Sequence, residues 1–342
     1  MLLSTIATLV GCGGADASHG VGSATDAAEK TRLISPSEDV LLVQPAPFGS
    51  GRVVVTLDPT PGGESVSGLY ATKLGIVDLA TGNVRELSLP QSQGCRATSR
   101  LAPRTLRDGR IAYVEYCLGK PPETATRLMA WDPAARTVSP VLDYFLPYFV
   151  GGFDFPSQGS RGVINDGRGL SERLAWTEQN RLEFLDLPLS RAGAPTWHPD
   201  GDVFAVPAVP SSAGEDSSVG PPLPRNVFVV DTDGRIVETI IEGVVDLSRL
   251  SWSPDGRWLA LSGRIGDQSG LYVVDPEGRS IVLLRSGSSY RDPAWVPPGN
   301  VIVVSVGTIS DLREGRPTGL EVISLDTTVL AEALEEARQL KK

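Results

Sequence analysis

The sequence predicts an all-β fold built from six similar units of short antiparallel strands. Two observations carry that prediction. The first is a turn that recurs just before an apolar run. Trp252-Ser-Pro-Asp-Gly256 precedes Trp258–Leu261, Trp197-His-Pro-Asp-Gly201 precedes Val203–Val206, and Trp295-Val-Pro-Pro-Gly299 precedes Val301–Val304. A reduced copy, Leu106-Arg-Asp-Gly109, precedes Ile111–Val114. The second is an apolar run that ends in Asp and a turn, at Asp78, Asp132, Asp186, Asp231, Asp275 and Asp326, spaced by 44 to 54 residues. A period of this length marks a radial or solenoid repeat. Each unit holds three or four runs rich in Val, Ile and Leu, residues that favour strands. Together these features predict a six-bladed β-propeller with four-stranded antiparallel blades over residues 31–328, followed by a short helix over 329–342.

The N-terminus comes first in chain order. Leu2–Val10 is apolar but too short to span a bilayer, and it suits the core of a secretory signal. Leu9-Val10-Gly11-Cys12 resembles a bacterial lipobox: an apolar residue, then a small one, then the Cys that is acylated. The resemblance implies a signal peptide over residues 1–11, lipidation at Cys12, and a place in the bacterial cell envelope, periplasmic or surface-exposed. Residues 12–30 are polar and small and read as a flexible tether, because such a segment buries too little surface to order itself.

Setting Cys12 aside leaves Cys95 and Cys117 as an even pair of the three cysteines. In an oxidising exported compartment they are expected to form a disulfide. No Cys-x-x-Cys occurs, so zinc is not suggested.

The fourth and fifth units are the clearest. Trp252-Ser-Pro-Asp-Gly-Arg-Trp-Leu-Ala-Leu-Ser-Gly263 with Leu271-Tyr-Val-Val-Asp-Pro-Glu-Gly278 resembles the WD40-like repeat of TolB-like propellers. That resemblance implies the propeller fold. It implies no partner, because only a tether is expected before the blades here, where TolB-like proteins carry a further N-terminal α/β domain. In the third unit, Arg161–Ile164, Arg173–Trp176 and Arg181–Asp186 serve as strands with different turns. In the last unit, Val329–Lys342 places Leu330, Ala333, Leu334, Ala337 and Leu340 at helical spacing, and it packs on the rim or engages a partner. Thr31–Ile34 is available as a missing outer strand.

The repeat turns are read as folding devices. In Ser253-Pro254-Asp255-Gly256, Pro presets φ, Asp tolerates the bridge region and Gly accepts positive φ. The same roles fall to Pro199, Asp200 and Gly201, and to Pro297 and Gly299. Trp197, Trp252 and Trp295 then end the inner strands and fill space between blades. Asp231-Thr-Asp-Gly234 lacks the later Glu of a calcium loop.

In an up-and-down blade, the links between strands one and two and between three and four share one face. The patterned turns all lie there. The longer insertions, within 58–68, 118–126, 207–225 and 307–319, lie on the opposite face, as do Cys95 and Cys117. Long loops on a rigid scaffold commonly carry function. Asp143–Phe155 links blades two and three and holds six aromatics; Tyr144, Phe145, Tyr148 and Phe149 form a candidate binding patch.

Catalytic signatures are few. Of two histidines, His19 lies in the tether and His198 in a turn. No Gly-x-Ser-x-Gly elbow, His-Glu-x-x-His pair, P-loop or Rossmann glycine pattern occurs. The net charge of -10, with no basic block, argues against nucleic acid. The expected function is therefore a monomeric, lipid-anchored propeller that binds a protein or envelope component through its loop-rich face, without a cofactor or metal. The alternative is a calcium-dependent propeller enzyme, lactonase- or lyase-like, with a carboxylate-lined central channel.

Overall fold

The computed structural model describes residues 21–35, 40–59, 65–66, 69–92, 95, 97–118, 124–142, 150–156, 161–166, 173–178, 181–211, 223–277, 279–308, 311 and 318–340. The signal peptide, Cys12, His19 and the patch Tyr144, Phe145, Tyr148 and Phe149 lie outside the described residues, as does most of the insertion within 207–225.

The strands form six antiparallel sheets in a ring. Blade 1 runs Val40–Pro47, Arg52–Pro59, Lys73–Asp78 and Val84–Glu86, from inner to outer strand. Blade 2 runs Ala97–Thr105, Ile111–Leu118, Thr124–Asp132 and Thr137–Pro140. Blade 3 runs Val150–Asp154, Gly162–Asp166, Arg173–Glu178 and Arg181–Phe184. In blade 4 the inner strand is split into Leu189–Ser190 and Thr196–Trp197, both paired to Val203–Pro210. Arg225–Asp231 and Ile236–Val244 complete it. Blade 5 runs Leu250–Trp252, Leu259–Ile265, Gln268–Asp275 and Ser280–Ser286.

Blade 6 closes the ring. Tyr290–Val296, Val301–Val306 and Gly319–Leu325 supply three strands, and the N-terminal strand Ala28–Ile34 supplies the outer one. Thr31 lies opposite Ile323 and Leu33 opposite Glu321, antiparallel. The outer strand suggested by Thr31–Ile34 is therefore present.

Buried apolar clusters fill all six interfaces between neighbouring blades, because alternate strand residues face the adjoining sheet. Leu74, Ile76, Tyr113 and Met129 join blades 1 and 2; Val114, Leu128, Phe153 and Ile164 join 2 and 3. Trp176, Trp197, Phe204 and Val230 join 3 and 4; Val229, Ile241, Leu259 and Tyr272 join 4 and 5. Trp258, Trp295 and Ile302 join 5 and 6; Leu42, Val53, Val303 and Leu320 join 6 to 1. The core is thus a ring of wedges rather than a single centre.

The turn signature folds as its residue types require. Gly256 has φ 74° and its N–H donates to the Ser253 carbonyl at 2.9 Å. The Ser253 hydroxyl donates to Asp255 Oδ1 at 2.6 Å and accepts from the Trp258 N–H at 3.0 Å. Gly201 and Gly299 repeat the backbone bond, to the His198 and Val296 carbonyls.

Four sequence expectations differ from the structure. The tether does not extend to residue 30. Val21–Ser23 pairs parallel to the outer strand of blade 5, and Ala24 and Ala27 are buried. Small side chains made this stretch read as disordered; here smallness is the fitting feature. A Cβ on Gly22 would stand 3.0 Å from the Ala337 Cβ and 3.3 Å from Val282 Cγ1. The third Asp marker also falls elsewhere: Asp186 follows the outer strand of blade 3, whose third strand ends at Glu178. The link between blades 2 and 3 is shorter than expected, since Val150–Asp154 is already the inner strand of blade 3 and Phe153 is buried. Finally, the helix α1 (Thr327–Gln339) starts two residues early, capped by Asp326, whose carboxylate accepts from the N–H groups of Thr328 and Val329. Leu330, Leu334 and Ala337 bury its apolar face against blades 5 and 6. Among the described residues no helix is long and apolar enough to cross a membrane.

Candidate functional site

The loop-rich face carries a cavity of about 550 Å³ where blades 4, 5 and 6 meet. Its wall is made where the chain enters each inner strand and where strands two and three of blade 5 turn. Arg191, Arg225, Arg264 and Arg291 line it, with Asp246 and Asp292. Ser248, Ser269, Ser288 and Tyr290 add hydroxyls.

Backbone geometry delivers several of these side chains. Arg191, Asp246 and Asp292 sit at φ 49°, 54° and 50°, left-handed values uncommon for residues with a Cβ. Gln44 and Ala102 occupy the same region in blades 1 and 2, at 56° and 58°. At Gln44 and Asp292 the strand register shifts across a bulge, which bends the strand and re-aims a side chain. The strain is held by neighbouring blades. The Ser248 hydroxyl accepts from the Asp292 N–H at 3.0 Å, and Gln44 Oε1 accepts from the Ala102 N–H at 2.7 Å.

Arg264 is fixed by two backbone bonds to Val245, at 3.0 and 2.8 Å. The chain comes this close because residue 263 is Gly; a Cβ there would lie 3.0 Å from the Val245 carbonyl oxygen. The Tyr290 hydroxyl is pushed up to about 12 by burial and by the Glu321 carboxylate, so it stays protonated.

A second cavity of about 240 Å³ opens at the inner strands on the patterned-turn face. Trp197, Pro199, Trp252, Pro254, Trp295 and Pro297 line it, together with Arg104 and Asp154. The repeat turns of blades 4 to 6 therefore shape the mouth of the channel, while Asp200, Asp255, Gly201, Gly256 and Gly299 set the backbone behind it. The buried indole N–H groups of Trp197 and Trp295 have no hydrogen-bond partner; that of Trp252 donates to the Thr196 carbonyl at 3.3 Å. His198 contacts the Gly256 carbonyl through Nε2 at 3.1 Å and packs edge-on to Trp252, a structural placement between blades.

Arg249 stands between the two cavities. Ser248 before it lines the larger one and Leu250 after it lines the smaller. Its side chain is buried, and Nη1 has no hydrogen-bond partner. Burial, and then the like charge of Arg104, pull its guanidinium down to about 9, so it remains charged at neutral pH; Asp292 and Asp154 act in the opposite direction. Asp154 is itself raised by burial, against the opposing effect of Arg104, whose Nε lies 3.9 Å away. Two cations and two carboxylates thus occupy the passage along the axis.

The expected disulfide is present. Cys95 and Cys117 are bonded, with Cα atoms 5.2 Å apart, and they pin the link into blade 2. Two residues before Cys117, Glu115 forms a buried ion pair with Arg100 Nε at 3.2 Å.

No sequence motif pointed to the four cavity arginines. One spacing would have helped: Arg191 and Asp246 each stand six residues before the Trp of their blade. Among the described residues, no three His, Cys, Asp or Glu side chains converge as a metal site requires.

No protein-family model matches the chain, and no curated protein matches it by sequence. Solved structures do. TolB from Acinetobacter baumannii is 16% identical with a TM-score of 0.55, over 80% of this chain. The chain spans 64% of the length of that protein. An oligogalacturonate lyase in complex with manganese is 12% identical with a TM-score of 0.54, covering 91% of this chain and 96% of that one. The oligogalacturonate lyase of Vibrio parahaemolyticus is 12% identical with a TM-score of 0.52, covering 89% and 95%. The chain has the fold of a TolB-like six-bladed propeller.

Proposed function

We propose that the chain is an exported, lipid-anchored binding module that engages a protein or another envelope component through its loop-rich face. The observation that carries this reading is the cavity of about 550 Å³ on that face, built from three blades and lined by charged side chains. A rigid ring with function on its loops is a common division of labour. The anchor rests on the lipobox-like Leu9–Cys12, with residues 1–11 as signal peptide and a tether from Cys12 to residue 20. The disulfide fits an oxidising compartment.

Photo-cross-linkers at Asp267 and Ser288, on the loop-rich face, are expected to give adducts in the native envelope. Cross-linkers at Arg107 and Asp200, on the turn face, are expected to give none. Adducts from the second pair alone would reverse the reading. Palmitate labelling is expected to vanish in Cys12→Ala; labelling that survives would remove the anchor.

A second reading, a metal-dependent lyase or lactonase, draws on the two lyases whose fold spans nearly the whole chain. A divalent ion needs several converging donors, and the described residues do not bring three His, Cys, Asp or Glu side chains together. Among the described residues the His, Cys, Asp and Glu side chains do not fit the ion, and we route no chemical step through one. Saturable calcium or manganese binding by calorimetry would favour this reading over the first.

A further inference from the structure

We propose that the cavity between blades 4, 5 and 6 binds a small dianion, carboxylate or phosphate, between the guanidiniums of Arg264 and Arg291. This rests on the reading of the loop-rich face as the binding face.

Charge gives the first argument. The chain carries -10 overall, yet among the described residues four arginines and two aspartates line this cavity, and Arg191 and Arg225 have partners of their own. Asp292 is moreover countered from below by the buried Arg249. With Asp292 so countered, Arg264 and Arg291 present their charge to the cavity, which favours an anion there over a cation.

Donor geometry gives the second. A guanidinium presents a planar fork of N–H donors that matches carboxylate and phosphate oxygens in pairs. Arg264 and Arg291 are exposed and come from adjacent blades, 5 and 6. Arg264 is held in place through Val245, and Arg291 adjoins the bulge at Asp292. Such anchoring fixes where the two side chains leave the backbone, and Arg264 Nη1 also donates to the Gly266 carbonyl at 3.3 Å, which lowers the ordering cost of binding.

Size gives the third. Small-molecule sites enclose about 300–1,000 Å³, and this cavity falls in that range. The hydroxyls of Ser248, Ser269 and Ser288 are suited to the uncharged part of a ligand. Beneath the floor, Nη1 of the buried Arg249 has no hydrogen-bond partner.

The test is calorimetric titration of the full chain at low salt with malonate and with inorganic phosphate, using glucose as the uncharged control. At least one dianion is expected to bind with Kd below about 1 mM. The Arg264→Gln/Arg291→Gln double variant is expected to weaken binding by about tenfold or more. Arg107→Gln, which removes an exposed arginine from the opposite face, is expected to leave binding unchanged. All three arginines are exposed, so the variants retain the fold, which a thermal melt verifies. A preference for malonate identifies a carboxylate ligand; a preference for phosphate identifies a phosphorylated one. Absence of saturable binding of either dianion, or equal weakening by Arg107→Gln, overturns the proposal. If dianions fail while cross-linking on the loop-rich face persists, this inference falls and the binding-module reading stands.

Discussion

At Asp154 a single carboxylate shows how burial converts into pH dependence. It accepts hydrogen bonds from the N–H groups of Phe155 and Trp197, at 3.0 and 2.8 Å, yet burial outweighs them and holds its carboxyl above the usual range. The folded state therefore binds this proton more tightly than the unfolded chain. The stability it contributes is complete below the ordinary carboxylate pKa and is lost as pH rises through the raised value. Wild type is expected to gain on Asp154→Asn as pH falls from neutral toward the carboxylate range, read as the difference of their melting temperatures. A constant difference would contradict this. Gly270 shows the opposite constraint, space rather than charge. A Cβ there would stand 2.1 Å from the Arg285 carbonyl oxygen and 2.5 Å from Leu283 Cδ1. Gly270→Ala is expected to cost roughly 1–3 kcal/mol, measured by urea unfolding. The sequence made the turn glycines legible through their Pro-Asp-Gly setting. It hid Gly270 and Gly263, whose need is a close backbone approach that no local pattern records.

At the scale of the element, legibility follows local chemistry. Blades 4 and 5 were readable because Trp197–Gly201 and Trp252–Gly256 fix a turn by residue type. Blade 3 was less so, since its strands are short and its third ends in Glu178 instead of Asp. The cavity residues were invisible for a related reason. Arg191, Asp246 and Asp292 sit in left-handed backbone, at a bulge in the case of Asp292, and none is the Gly that would mark such a position in the sequence. The disulfide was legible from arithmetic and face assignment together. It spans a sequence separation of 22. Cys95→Ser/Cys117→Ser is expected to cost about 3 kcal/mol through loop-closure entropy. The check is the shift of the urea midpoint, with reduction of wild type by dithiothreitol giving a similar shift.

For the whole molecule, stability is shared among six inter-blade wedges, and one of them depends on the chain's N-terminal strand. Removing residues 1–34 would strip the outer strand from blade 6 and leave Gly319–Leu325 as an open edge, with Leu320 and Ile323 losing cover. Unpaired edges recruit other chains. The truncated protein is expected to associate or aggregate, and to unfold earlier in urea than the intact chain. A truncated monomer with an unchanged midpoint, by size-exclusion chromatography and urea unfolding, would contradict this.

The pairing of Ala28–Ile34 with Gly319–Leu325 also sets a clock on assembly. A ribosome makes the first of these strands before blades 1 to 5 and its mate after them. Until blades 1 to 5 and most of blade 6 have been made, Ile34 has no Leu320 to lie against. Blades 1 to 5 can form their own hairpins as they are made, since those contacts are local, but the ring cannot latch. Completion is therefore a single late event that joins the first-made strand of the ring to the last. A ring built this way stays open until its last blade is made, and locks only when the two strands meet.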